Sequence, residues 1–206
     1  MIYKLVILMV YDLMTYHSEN MAKLEKDLQE AIVAMPQKEK DKLLLKLINK
    51  DEVLTQQLQF QLVEAGDTME SRRDDIRKSI DKLYRIDHYS SGYLMMDMRY
   101  VSGDINRHIK VTKDKYGEVE LTIKLLKECF EKQLKWIQKY SAKSDTLANY
   151  VAKRTDATLK KLIKFHPDIQ FDFQGDMNYI LESCHKYAPA NYARIMDLPK
   201  HFEIVD

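Results

Sequence analysis

Residues 118–140, EVELTIKLLKECFEKQLKWIQKY, decide the fold of this chain. Their apolar side chains recur every three or four residues, which is the spacing of an amphipathic helix. They also cover more than half of the helical circumference, whereas a helix at the surface shows a single apolar stripe. This stretch therefore predicts a central helix that other helices surround.

The same spacing continues along the chain on both sides of this stretch, interrupted by short breaks rich in Gly, Pro, Asn and Asp. The other predicted helices cover about 22–34, 37–49, 52–64, 69–88, 92–113, 145–166 and 176–187. Residues 168–175 alternate apolar and polar side chains, which predicts an extended connection. The fold class is therefore all-α.

The predicted helices become longer after Gly66, which suggests two parts. Residues 21–65 form a module of short antiparallel hairpins, similar to those of HEAT-like arrays but without a repeat of fixed period. Residues 68–188 form a longer helical bundle, and residues 189–206 form a C-terminal tail. One continuous core is an equally open alternative.

Residues 1–20 form an apolar N-terminal extension of different character. The uncharged run from Leu5 to Tyr11 is too short for a membrane span, which needs about 20 apolar residues. No small-residue cleavage site of a secretory signal follows it. We expect Met21 to be the natural start, with a partner-seeking helix and a signal or anchor as alternatives.

The composition excludes several functional classes. The chain of 206 residues has 33 basic and 32 acidic side chains, so no overall charge attracts it to nucleic acid or to an anionic membrane. Five glycines leave little material for a phosphate-binding loop, and no hydrolase, kinase or metal-binding motif is present. We therefore predict no cofactor and no metal site. Cys129 and Cys184 lie far apart in the sequence, and neither belongs to a CxxC or Cys/His pattern. We therefore expect reduced, buried thiols in a cytoplasmic protein.

A first candidate site lies on the predicted helix over 92–113. One strip of that helix, beside its apolar face, holds six side chains that could form a site: Tyr93, Asp97, Tyr100, Asp104, Arg107 and His108. Asp104 and His108 are four residues apart, so the carboxylate could orient the imidazole as a general base, with Tyr100 as a donor. The alternative is a hydrogen-bonded polar ladder between two helices, because no nucleophile or oxyanion hole accompanies these residues.

A second candidate site is basic and lies on the predicted helix over 145–166. Its five members gather away from the apolar face of that helix: Lys153, Arg154, Lys160, Lys161 and Lys164. Such a face could neutralise phosphates and bind nucleic acid in a salt-dependent manner. A solvated helix surface is the alternative interpretation.

The stretch PQKEKDKLLLKLINKDEVLTQQLQFQLVE, residues 36–64, resembles the opening of a group of uncharacterised helical proteins from Bacteroidetes-type bacteria. The resemblance extends through RRDDIRKSIDKL at residues 72–83. It implies a bacterial cytoplasmic protein and brings no functional residues with it.

Three functions follow from these observations. Short helices that expose apolar ridges favour a non-enzymatic protein–protein interaction or scaffold module, whose partner is another protein. A nucleic-acid-associated protein and an enzyme that uses the carboxylate and histidine face are the alternatives. The oligomeric state is left open.

Overall fold

The computed structural model describes residues 24–204, and the predictions for residues 1–20 lie outside this range. The described residues are all-α and contain no strand, which confirms the predicted fold class. Within residues 24–204 there are ten α-helices: α1 (Lys26–Ala34), α2 (Gln37–Ile48), α3 (Glu52–Leu58), α4 (Met69–Arg85), α5 (Ser91–Thr112), α6 (Lys115–Lys132), α7 (Leu134–Ile137), α8 (Asp145–Leu162), α9 (Pro167–Lys186) and α10 (Ala190–Ile195). A π-helical turn, Gln59–Val63, continues α3.

The chain divides into two compact units after Asp51, so α3 belongs with the longer bundle and not with the short helices before it. In the first unit, neither α1 nor α2 buries a single side chain. The closely packed helix pairs of the described residues all belong to the second unit. The antiparallel packing expected of α1 and α2 is not among them.

The second unit is a bundle around α6. This helix packs against α4, α5, α8 and α9, and ten of its residues are buried. The central position predicted from residues 118–140 is therefore found, but the helix ends earlier than expected. The backbone leaves the helical conformation at Gln133, and the short helix α7 then continues to Ile137.

The extended connection expected over residues 168–175 is wrong, because these residues belong to the long helix α9. Pro167 occupies the first turn of α9, where its missing N–H costs nothing, so it begins this helix. The preceding helix, α8, was expected to reach residue 166 but ends at Leu162. The apolar alternation misled because Phe173 is buried while Phe171 is 68% exposed.

The C-terminal tail is also more ordered than its sequence suggested. Helix α10 lies within it, and Ala193, Leu198 and Phe202 are buried in the core. The backbone N–H of Phe202 donates to Asn178 Oδ1 of α9 at 2.5 Å. The described part of the tail is thus held against the bundle.

Both cysteines are free and buried, as the sequence analysis expected. Burial raises the pKa of the Cys129 thiol to about 12 and that of the Cys184 thiol to about 12. Because the thiolate is the reactive form, we expect neither thiol of the native protein to react with Ellman's reagent at pH 8. Both thiols should react at the rate of free glutathione in denaturant. Fast labelling of either thiol in the native protein would contradict this burial.

Candidate functional site

Helix α5 carries all four predicted catalytic residues, but their side chains do not face the same side of the helix. His108 points inward and is buried, whereas Tyr100 and Asp104 are exposed and Asp97 is about half exposed. The pair expected between Asp104 and His108 does not form, because His108 faces the core while Asp104 is exposed and lies 3.8 Å from Arg107. The spacing was compatible with the pair, but the imidazole contacts a buried residue just before the next helix instead.

That partner is Asp114, the residue that caps the N-terminus of α6. His108 Nε2 lies 2.9 Å from Asp114 Oδ2, and both side chains are almost fully buried. Since a carboxylate only accepts hydrogen bonds, the imidazole donates from Nε2 to Asp114. Nδ1 is buried and has no hydrogen-bond partner.

Arg73 of α4 completes this cluster. Its Nε donates to Asp114 Oδ2 at 2.6 Å and its Nη2 donates to Oδ1 at 2.8 Å, which is a bidentate ion pair. The backbone N–H of Gly117 donates to Oδ1 at 2.9 Å. Burial by itself would raise the pKa of Asp114, but the hydrogen bonds from Arg73, His108 and Gly117 outweigh it and hold the pKa below its ordinary value.

We call Arg73, His108, Asp114 and Gly117 the capping cluster. A carboxylate has about four acceptor positions, and all four of Asp114 are filled, so it has none left to take a proton from a substrate. The cluster joins α4, α5 and α6 at one point. Its geometry is that of a structural junction.

Asp97 has a different partner. His88, in the loop before α5, lies with Nε2 3.1 Å from Asp97 Oδ2, and its side chain is only 1% exposed. The His88–Asp97 pair and the capping cluster lie more than two helical turns apart along α5. The structure therefore does not bring the predicted catalytic residues together, although Asp97, Asp104 and Tyr100 share its outer side.

The outer side of α5 carries an aromatic ridge that the sequence analysis only partly identified. Tyr93, Met96 and Tyr100 follow the three- and four-residue spacing and fall within about 60° of one another around the helix. They are 58%, 47% and 70% exposed, and Tyr89, just before the helix, is 89% exposed. The Tyr89 and Tyr93 rings meet edge to face with their centroids 6.4 Å apart.

We call Tyr89, Tyr93, Met96 and Tyr100 the tyrosine ridge. Its two flanks differ in charge, because Asp97 and Asp104 lie along one side and Arg99 and Lys110 along the other. Tyr93 and Tyr100 stood in the predicted strip; Met96 and Tyr89 did not. The spacing of residues 89, 93, 96 and 100 could have identified them, because side chains recur in this way along a helix that packs on another helix.

The basic face of α8 is partly neutralised. Lys160 lies 2.7 Å from Asp156, and Lys161 forms an ion pair with Glu118 of α6. Arg154 is half-buried, with its Nε buried and lacking a hydrogen-bond partner. Lys153 and Lys164 are exposed, but Lys164 lies beyond the end of the helix. Two of the five cationic side chains are therefore paired with carboxylates, and a third, Arg154, is half-buried.

The described residues hold no group of three or more His, Cys, Asp or Glu side chains that could bind a metal ion. Among the helices of residues 24–204, none is long and apolar enough to cross a membrane. No family model matches the chain, and no match was found among curated proteins or solved structures. The resemblance of residues 36–64 to Bacteroidetes-type proteins stays a prediction.

The close approach of Gly117 to the capping cluster generates a stability prediction. A Cβ at Gly117 would lie 2.1 Å from Asp114 Oδ2 and 2.7 Å from Arg73 Nε. Gly117→Ala should therefore lower the free energy of unfolding by about 2 kcal/mol, as overpacking of a core does. Gly103→Ala on α5 is the matched control, since no atom lies within 4 Å of its Cβ. It should leave stability unchanged or raise it by about 0.5–1 kcal/mol, as Gly-to-Ala changes in helices do. Equal changes in the free energy of unfolding for the two variants, measured by chemical denaturation, would contradict the close packing of Gly117 against Asp114 and Arg73.

The lowered pKa of Asp114 generates a second prediction, on acid stability. Asp114→Asn should cost about 3 kcal/mol at pH 6, because it leaves Arg73 without its partner in a mostly buried position. The ionised Asp114 stabilises the native state above its ordinary pKa of 3.8, and this contribution is lost as the pH falls through its lower native value. The difference in unfolding free energy between wild type and variant should therefore narrow below about pH 4. A constant difference from pH 5 to pH 3 in denaturant titrations would contradict the assignment.

Proposed function

We propose that this chain is a non-enzymatic protein–protein interaction module that binds an amphipathic helix of another protein along the tyrosine ridge. The observation that carries the proposal is the exposure of Tyr93, Met96 and Tyr100 on one side of α5, next to exposed Tyr89 just before the helix, while the other side of α5 is buried in the bundle. Exposed side chains of this kind in a row mark interaction sites. Tyrosine and methionine are also enriched in protein interfaces, where tyrosine is a frequent hot spot.

The ridge also favours one kind of partner. Its three- and four-residue spacing matches the seam along which one helix packs on another. The flank with Asp97 and Asp104 suits basic side chains, and the flank with Arg99 and Lys110 suits acidic ones. We therefore propose a partner helix with an apolar seam that has lysine or arginine on one side and aspartate or glutamate on the other. In keeping with the resemblance of residues 36–64, the setting would be a bacterial cytoplasm.

The alternatives receive less support from the described contacts. An enzyme would need the predicted strip to converge on a substrate, but His108 is tied into the capping cluster. A nucleic-acid-binding surface would need free cations on α8, but Lys160 and Lys161 are paired with Asp156 and Glu118.

Replacing two tyrosines of the ridge tests the proposal. Tyr93→Ser/Tyr100→Ser should weaken binding of the partner by about 30-fold or more, the effect of losing one hot spot worth about 2 kcal/mol. The comparison is quantitative co-purification from native extract with wild-type and variant protein, followed by Kd measurement with the identified partner. Phe171→Ser is the matched control, because Phe171 is an equally exposed aromatic residue on α9.

The outcomes separate the three functions. Partners lost from the double variant but kept by Phe171→Ser support the ridge. Partners kept by all three proteins would overturn it. Binding that nuclease treatment abolishes would favour the nucleic-acid alternative instead.

A further inference from the structure

Helices α1 and α2 each expose an apolar stripe. On α2, Leu43, Leu44 and Leu47 lie on one side of the helix and are between 38% and 57% exposed. Leu28 of α1 and Leu24, two residues before the helix begins, are four residues apart and about half exposed. No residue of either helix is buried.

Such helices do not stabilise themselves. Isolated helices shorter than about 12–15 residues are marginal in water, and most helical stability in proteins comes from packing an apolar face. Helix α1 has 9 residues and α2 has 12. Their exposed leucines therefore indicate a surface that another structure covers.

The charges of the two helices indicate what covers them. Residues 24–35 carry three acidic side chains and one lysine, a net charge of −2, whereas α2 carries four lysines and two acidic side chains, a net charge of +2. An acidic apolar helix and a basic apolar helix on one chain are complementary to the same pair on a second chain. A two-fold axis makes each contact twice, since α1 of one copy then meets α2 of the other.

We propose that the chain self-associates through residues 24–51, with α1 of each copy packed against α2 of a second copy in a small four-helix arrangement. The leucine stripes form its centre, and the charged side chains beside them, among them Asp27 and Lys46, select the partner helix. This surface shares no residue with the tyrosine ridge. A dimer would therefore present two ridges, and either proposal can fail without the other.

The leucine core is tested by sedimentation equilibrium on the full chain. Wild type should form a dimer with a micromolar Kd, and Leu47→Asp should weaken it by at least about tenfold, because a charge then enters the apolar centre. Leu62→Asp is the matched control, since Leu62 is equally exposed but belongs to the second unit. It should leave the dimer unchanged, as should Tyr93→Ser/Tyr100→Ser. A wild-type monomer at all concentrations, or equal loss with Leu47→Asp and Leu62→Asp, would overturn the proposal.

A charge exchange tests the pairing itself. Asp27→Lys alone and Lys46→Glu alone should each weaken the dimer by roughly two- to fivefold, the worth of exposed ion pairs. An equimolar mixture of the two variants should recover wild-type affinity or exceed it, because each copy then offers the opposite charge at both contacts. A mixture no tighter than the separate variants would show that α1 does not meet α2 of a second copy. Coverage by residues of the same chain would give a wild-type monomer, and binding of another protein would leave purified wild type monomeric as well.

Discussion

The bundle depends on one buried carboxylate. Asp114 ends the turn between α5 and α6, caps the first turn of α6 through Gly117, and holds Arg73 of α4 and His108 of α5. A buried charge is costly unless it is paired and fully hydrogen-bonded. Asp114 meets that condition only when three helices are in their native places. The same interaction therefore caps the central helix and fixes the register of its two neighbours.

This constraint explains which parts of the fold could be predicted. The central position of α6 followed from side chains such as Leu121, Leu125 and Phe130, because apolar residues all round a helix must be covered on all sides. The capping cluster could not be predicted in the same way. Arg73 and Asp114 lie 41 residues apart. Lys113, which takes the left-handed conformation before Asp114, gives no sequence signal of the turn. The central helix was expected to begin at residue 118, but it begins at Lys115 and contains Gly117, whose missing side chain makes room for Asp114.

The departure from the sequence-based prediction at residues 167–175 has local causes. Pro167 was expected to end one helix, but α8 has already ended at Leu162 and Pro167 begins the next helix instead. The alternation of Ile169, Phe171 and Phe173 matched a strand only because Phe171 is an exposed aromatic residue in a helix. In the candidate site, too, the spacing of the residues was consistent with the prediction but did not show which side chains are buried. Helical spacing correctly put Asp97, Tyr100 and Asp104 on the outer side of α5, but it could not show that His108, one turn after Asp104, lies on the buried side of the boundary.

The division of α5 into two sides also bears on its function. The inner side is occupied by the core and by the capping cluster, so the helix cannot move or rotate without breaking a buried ion pair. The backbone of the outer side is thereby held in place, and a backbone that is fixed before binding loses little conformational entropy on binding. Tyr93 and Tyr100 would need no change in the bundle to contact the proposed partner helix. The buried carboxylate of Asp114 thus holds the helix that carries the tyrosine ridge. His108 and Tyr100, which the sequence analysis placed in one catalytic site, have different roles: His108 holds α5 in the bundle, whereas Tyr100 is exposed on its outer side.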